Sequence, residues 1–232
     1  MTNSTHESTM QNGFYHIEKP YLLAHTSTNY RRFLRESGYG NLDTGSGLEV
    51  AKGVLKLDAV VRTAATRTGI TIAGNDGDYL VDINHPNARK LVETLGYTVL
   101  TVGLMYKVFI PHIKDLVGQN NVQAQATLDE MVNDKSEWLE DIIKDKQDVY
   151  IESKHQRLVI PTSTNGWFDH TDMNEYGYPN TVKPSGEFYY WYPRGNNQAA
   201  VRSGGSELDL DLFWGPSVEV GRLGVRLAKI LA

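Results

Sequence analysis

The stretch that decides the fold is "LDLDLFWGPSVEVGRLGVRLA", residues 208–228. Its first half alternates leucine with aspartate. In an extended chain Leu208, Leu210, Leu212 and Trp214 share one face, and Glu207, Asp209, Asp211 and Phe213 share the other. A buried leucine face accounts for a strand. It does not account for Phe213 among the carboxylates. That second face is therefore expected to point outward as a recognition patch, with Phe213 as its largest apolar element. The closing "GRLGVRLAKIL" alternates again and is expected to pair with another strand, the first strand of the chain being the natural partner.

Immediately upstream, "GEFYYWYPRGNNQAAVRSGG" (186–205) contains five consecutive aromatics, Phe188 to Tyr192. Period two puts Phe188, Tyr190 and Tyr192 on one side of a strand and Tyr189 and Trp191 on the other. Core packing explains most of such a run. One or two of the rings are candidates for a binding surface, because Tyr and Trp bury large areas with few rotors. Before it, "NGWFDHTDMNEYG" (165–177) groups Asp169, Asp172 and Asn174. Oxygens at that spacing suit either a structural calcium ion or an Asx-rich loop without one; the loop is the default reading.

Further out, residues 123–146 look like the strongest helix, with Leu128, Met131, Leu139 and Ile142 on one apolar face and a solvated charge run on the other. Residues 101–117 read as a buried helix that Pro111 bends. "HPNARKLVETLG" is a helix capped by Asn84, with Pro86 in its first turn and Gly96 closing it. The alternating segment 51–82 suggests short strands, and residues 13–24 a first strand. Residues 1–13 are polar and expected to be a dispensable flexible tail, leaving 14–232 as one α+β domain, helices first and loop-rich sheet last.

The 232 residues carry a net charge of -5 and no cysteine. The charge argues against a nucleic-acid partner, and the missing thiols exclude disulfides, thiol catalysis and thiolate metal sites. Neither a signal peptide nor a membrane span is visible, so no membrane insertion is expected; the compartment is not legible. The seven histidines show no H-x-x-x-H pair, there is no Walker A loop, and "GYGNLD" lacks the third glycine of a dinucleotide fingerprint. "GGSEL" (204–208) starts like a nucleophile elbow around Ser206 but ends in Leu208 instead of glycine. No catalytic residue and no catalytic metal or other cofactor is expected.

The order of aromatic strand, "YPRG", "AAVRSGG", "LDLFWGPS" and "RLGVRLA" resembles the C-terminal part of the formylglycine-generating-enzyme type of C-type lectin fold. Within it, the resemblance is to variable proteins of diversity-generating retroelements, whose ends read L-x-L-x-x-A-P-S followed by I-G-F-R. Leu210, Leu212, Gly215, Pro216, Ser217, Leu223, Gly224, Val225 and Arg226 fall on that frame, across roughly the last 45 residues. "RSGGSE" departs by one extra residue and a missing tryptophan, and Val225 stands where the family has an aromatic. The resemblance implies helices, small antiparallel sheets and long structured loops. It implies a display region at about 186–228, with Asp209, Asp211, Phe213, Trp214, Val218, Glu219, Val220 and Arg222 as the diversifiable, ligand-binding positions. Adenine mutagenesis of asparagine codons yields Asp, Phe, Val or Arg, but not Trp or Glu, so Trp214 and Glu219 are fixed or come from other codons. The implied function is receptor-type binding of a protein or glycan on a cell or virus. The alternatives are a non-diversified virion structural or receptor-binding protein and, third, an enzyme of another chemistry. Enzymes of the fold use a cysteine pair for copper or an H-x-x-x-H-x-E helix for iron, and this sequence has neither.

Overall fold

The computed structural model describes residues 13–133, 136–151, 154–194, 197–203, 208–215, 217–218 and 223–232. The expected tail up to residue 12 and Ser206 lie outside them. The chain opens with β1 (Phe14–Glu18) and turns at once into α1 (Lys19–His25), so the apolar segment 13–24 is strand and then helix. Pro20 sits in the first helical turn, where its missing N–H removes no bond. Helix α2 (Thr28–Ser37) is capped by the Ser27 side chain and stops at Gly38. After β2 (Gly47–Ala51) comes α3 (Ala59–Thr68), where strands were expected. Val61, Ala64 and Ala65 are buried at helical spacing, Asp58 caps the start and Gly69 takes the left-handed end. These local signals outweigh the alternation around them. Helix α4 (His85–Thr94) has the expected Asn84 cap, which accepts from the Asn87 N–H at 3.0 Å.

Strand β3 (Thr98–Val99) leads into a buried helical segment: α5 (Val102–Leu104), a π-helical turn (Met105–Phe109) and α6 (Ile110–Gly118). Pro111 follows the π turn, so the expected distortion is a wide turn placed where the proline withholds its N–H. The expected helix 123–146 is corrected. Helix α7 ends at Asn133 (Val122–Asn133), and β4 (Ser136–Lys144) takes Leu139 and Ile142 into a strand. The acids read as a solvated helix face are buried in β4. Glu137 meets Arg226 and Glu140 meets Arg89 at 2.9 Å, while Asp141 accepts from Val102 N–H and Tyr178 O–H.

The remaining strands are β5 (Asp148–Ile151), β6 (Lys154–Arg157), β7 (Gly166–Phe168), β8 (Phe188–Trp191), β9 (Asn197–Ser203), β10 (Leu208–Trp214), β11 (Leu223–Gly224) and β12 (Leu227–Leu231). Among the described residues they complete two sheets. The smaller has the order β1-β2-β12-β3, so the closing strand pairs with β2, Ala228 opposite Val50, and lies one strand away from the expected partner. The larger has the order β6-β5-β4-β9-β10-β8-β7, with β11 joined to β4. The architecture is α+β. Among the described residues, no helix is long and apolar enough to cross a membrane.

One core lies between the helical segment 102–131 and the leucine face of the larger sheet; a second gathers α3, α4, Trp138, Leu223 and Val225. The closing "LGVR" is what locks these parts together. A Cβ on Gly224 would stand 2.5 Å from a Val54 methyl and 3.0 Å from the Leu80 carbonyl, so only glycine fits there. Arg226, 1% exposed, forks onto Glu137 at 2.7 and 2.9 Å, reaches Glu130 at 3.1 Å and donates to the Ala51 carbonyl at 2.9 Å. It joins β2, α7 and β4 through one guanidinium. Burial alone would lower its pKa; the two glutamates outweigh that and hold it above the ordinary value.

Candidate ligand-binding face

Strand β10 lies inside the sheet, parallel to β8 and antiparallel to β9. Its leucines behave as the alternation requires: Leu208, Leu210 and Leu212 are 4%, 0% and 0% exposed. The opposite face does not. Asp209 is 6% exposed and Asp211 1%, so their assignment to an outward recognition patch is corrected. The reason is lateral. Asp209 stands between Tyr189 and Arg202, and Asp211 between Trp191 and Ala200. The Trp191 indole N–H donates to Asp209 Oδ2 at 3.2 Å, and the Tyr106 hydroxyl donates to the Asp209 carbonyl at 2.8 Å. The Trp191 indole therefore lies against the Asp209 carboxylate.

The pairing register of β10 with β9 shifts between Asp211 and Trp214, as a bulge does. Trp214, beyond the register shift, is half-buried against the second core, whereas Leu208, Leu210 and Leu212 pack in the first, so it departs from its place on the leucine side. Val218 is half-buried in a turn, its N–H donating to the Gly215 carbonyl at 3.1 Å. Phe213 takes its strand position in β10, with its side chain outside the description; Glu207, Glu219, Val220 and Arg222 lie outside the described residues.

The open part of this face is aromatic and comes from β7 and β8. Phe188 and Tyr190 are 1% and 0% exposed, and the Tyr190 hydroxyl donates to the Pro161 carbonyl at 2.8 Å. Tyr189, Trp191 and, across the strand pair, Trp167 are half-buried. They form a row of edge-to-face contacts: Trp167 to Tyr189 with centroids 5.2 Å apart, and Tyr189 to Trp191 at 5.1 Å. Such packing holds each ring against its neighbour and leaves part of it to solvent. Trp167 was missed in the sequence; the signal for it is the Asn-Gly pair at 165–166, whose glycine opens the strand that pairs with the aromatic one. Its backbone also pairs in both directions with Lys183, at 2.9 Å each way.

The oxygen cluster beside the row serves the loop itself. Asp169 is bridged by Lys183, which lowers its pKa, and accepts from the Glu187 N–H at 2.9 Å. Asp172 accepts from the Thr181 hydroxyl at 3.1 Å, and Asn174 Oδ1 accepts from the N–H groups of Tyr176 and Tyr178 at 2.9 and 3.2 Å. These are the bonds of an Asx-rich loop. Gly177, at φ 87°, sits where a Cβ would meet Gly103 Cα at 2.6 Å, so the loop is pressed onto the start of α5. The face thus offers ring area backed by a buried acid, on a loop fixed by its own polar groups. Compared with protein-family models, with curated proteins and with solved structures, the chain matches none.

Proposed function

We propose that this chain is a ligand-binding protein built on a C-type-lectin-like scaffold of the formylglycine-generating-enzyme type, of the kind encoded with diversity-generating retroelements. The observation that carries the binding role is the half-buried row Trp167–Tyr189–Trp191, since ordered Tyr and Trp rings give large contact area at small entropic cost. The scaffold reading has a separate support. Of the frame positions, Leu210, Leu212, Leu223, Gly224, Val225 and Arg226 are buried, Gly215 is half-buried, Ser217 is exposed, and Pro216 lies outside the described residues. The ligand is a protein or glycan on another cell or virus, met by the aromatic row. Burial of Asp209 and Asp211 favours the second reading, a non-diversified virion or receptor-binding protein, at those two positions.

The DNA beside the gene tests the retroelement: a reverse transcriptase gene and a near-identical repeat differing at adenines are expected. Natural variants should then differ at Val218, Val220 and Arg222 and keep Leu210, Gly224 and Arg226; the opposite pattern ends the proposal. Binding is tested on printed glycan arrays and immobilised surface proteins of candidate hosts. Trp167→Ala with Tyr189→Ala is expected to weaken a recorded interaction at least tenfold with the circular dichroism spectrum unchanged. Unchanged binding in the double variant excludes the row as the site.

A further inference from the structure

The larger sheet treats its two outer edges differently. At one end β7 is closed, because the Trp167 N–H and C=O that point away from β8 are both taken by Lys183, at 2.9 Å each way. At the other end β6 pairs, among the described residues, with β5 alone. The register fixes which of its backbone groups are used. Leu158 N–H donates to the Gln147 carbonyl at 2.9 Å, one step beyond the Arg157–Asp148 pair. Hydrogen-bonded pairs alternate along an antiparallel ladder. Gln156 and Lys154 therefore also bond to β5, and His155 and Arg157 turn their N–H and C=O groups away from it. The Arg157 carbonyl accepts from the Gln156 side chain at 3.1 Å. Both groups of His155 and the N–H of Arg157 have no hydrogen-bond partner among the described residues.

A groove of about 740 Å³ runs beside this edge. One wall is β6 from Lys154 to Gln156, and the other is the face of α2 that carries Asn29, Arg32 and Glu36. Phe33 and Tyr176 give it an aromatic lining, both buried, with ring centroids 5.4 Å apart. On the other face of β6, the His155 ring stacks on Tyr150 at 5.2 Å, and Val159 follows Arg157 at the spacing of two, 86% exposed.

Arg32, Lys154 and Arg157 flank the edge, and none is in an ion pair among the described residues; Arg157 donates to the neutral Gln147 side chain at 3.2 Å. Three acids stand near them. Glu175 accepts from the Ser27 hydroxyl at 2.6 Å, and its charge acts on Lys107. Asp148 faces Arg157 across the ladder, and Glu36 lies one turn on from Arg32. Cations thus outnumber the two remaining acids along this edge, in a chain whose net charge is -5. A second copy is a poor occupant. Antiparallel pairing of two β6 edges centred on Gln156 sets each Arg157 beside the other copy's His155 and brings no acid into the new pairs.

We propose that the β6 edge takes up an extended, acidic segment of a partner protein, which joins the larger sheet as its next strand. Its backbone answers His155 and Arg157, its carboxylates lie beside Lys154 and Arg157, and its alternate side chains enter the groove over Phe33 and Tyr176. This edge lies at the opposite end of the sheet from β7, so it is separate from the aromatic row.

The test is to pan the full chain against a display library of random peptides of about ten residues, enough for one strand. Acidic peptides without proline in their centre are expected to be enriched. Fluorescence anisotropy with the best synthetic peptide then reads two variants. Arg157→Glu should weaken binding roughly tenfold or more by reversing a charge at the edge. His155→Pro should do the same, because its N–H makes no bond to β5 and proline there removes only the docking donor. Circular dichroism should be unchanged in both. If His155→Pro fails to fold, the same peptide N-methylated at alternate residues replaces it and should lose binding in one of its two methylation registers. No enrichment, enrichment of peptides without acids, or undiminished binding in these arms overturns the proposal. So does a wild-type dimer in sedimentation that Arg157→Glu dissolves, which would give the edge to a second copy. Trp167→Ala should leave peptide binding intact; loss there instead would place the peptide on the aromatic row and overturn the assignment to β6.

Discussion

The two flanks of the larger sheet are made of different material. On the β4–β11 flank, polar groups are buried and partnered: Glu137 with Arg226, Glu140 with Arg89, and Asp141 with the Tyr178 hydroxyl. On the β8–β7 flank, rings are packed edge to face and left half open. Buried, partnered charge is unforgiving of change, because either partner alone is stranded without water. Half-open rings tolerate change, because much of what they touch is solvent. The contrast sets a closed, partnered region against an open aromatic one, and the proposed binding role rests on the second.

The largest expected effect breaks the first flank. Arg226→Ala leaves Glu137 buried without its partner and is expected to lose about 3–5 kcal/mol in urea melts. Replacing both members, Arg226→Met with Glu137→Met, should recover a substantial part, since a well-packed apolar pair avoids desolvation. A loss under about 1 kcal/mol for Arg226→Ala would mean that the guanidinium does not hold the three elements together.

Strand β10, between the flanks, sharpens the comparison. Leu210→Ala should lose about 2–5 kcal/mol by leaving a cavity. Asp209→Ala removes the acceptor of the Trp191 indole and is expected to lose about 1–3 kcal/mol. A freely displayed Asp209 would give less than about 0.5 kcal/mol, so the same melts discriminate the buried from the outward carboxylate.

That carboxylate marks how far the sequence could be read. The leucine face, the Phe188/Tyr190 alternation, the Asn84 cap and the α+β class follow from periodicity and capping within a few residues, and all are present. Gly224 and Arg226, which fall on the frame of the resemblance, are both buried. What failed depended on residues far away. Residues 136–144 carry helical spacing at Leu139 and Ile142, yet form a strand whose Glu137 is answered by Arg226, 89 positions later. Asp209 and Asp211 alternate correctly with leucine, but whether the second face is open is decided by Tyr189 and Trp191 on β8. Alternation shows that two faces exist; it does not show what lies beside them. Trp167 had only the Asn-Gly pair before it as a local signal; its place beside Tyr189 is set by the pairing of β7 with β8.

The smallest expected effect in the unaltered protein, a slope near zero, concerns the buried flank and pH. His85 bonds the Leu139 carbonyl at 2.7 Å, and burial pushes its pKa down from 6.5 to about 4. Asp141, two residues further along β4, is pushed by burial from 3.8 up to about 7. For His85 the folded pKa is depressed, so its contribution is complete above pH 6.5 and is lost as pH falls towards 4. For Asp141 the folded carboxyl pKa is raised, so its contribution is complete below pH 3.8 and is lost as pH rises towards 7. Between these limits the unfolded chain carries the proton on the histidine and the folded chain carries it on the aspartate. Proton numbers match, and the pair adds almost no slope to the stability curve. Removing one member exposes the other. Asp141→Asn should become less stable than the wild type as pH falls from 6.5 to 4, by roughly 3 kcal/mol for a shift of this size. His85→Gln, which keeps a donor for Leu139, should show the opposite slope, gaining relative stability over the same range. Urea melts of the three proteins across pH 4–7 read both slopes. Parallel curves would mean that these two groups are not held in the protonation states that β4 imposes, and that the closed flank admits water where its packing says it does not.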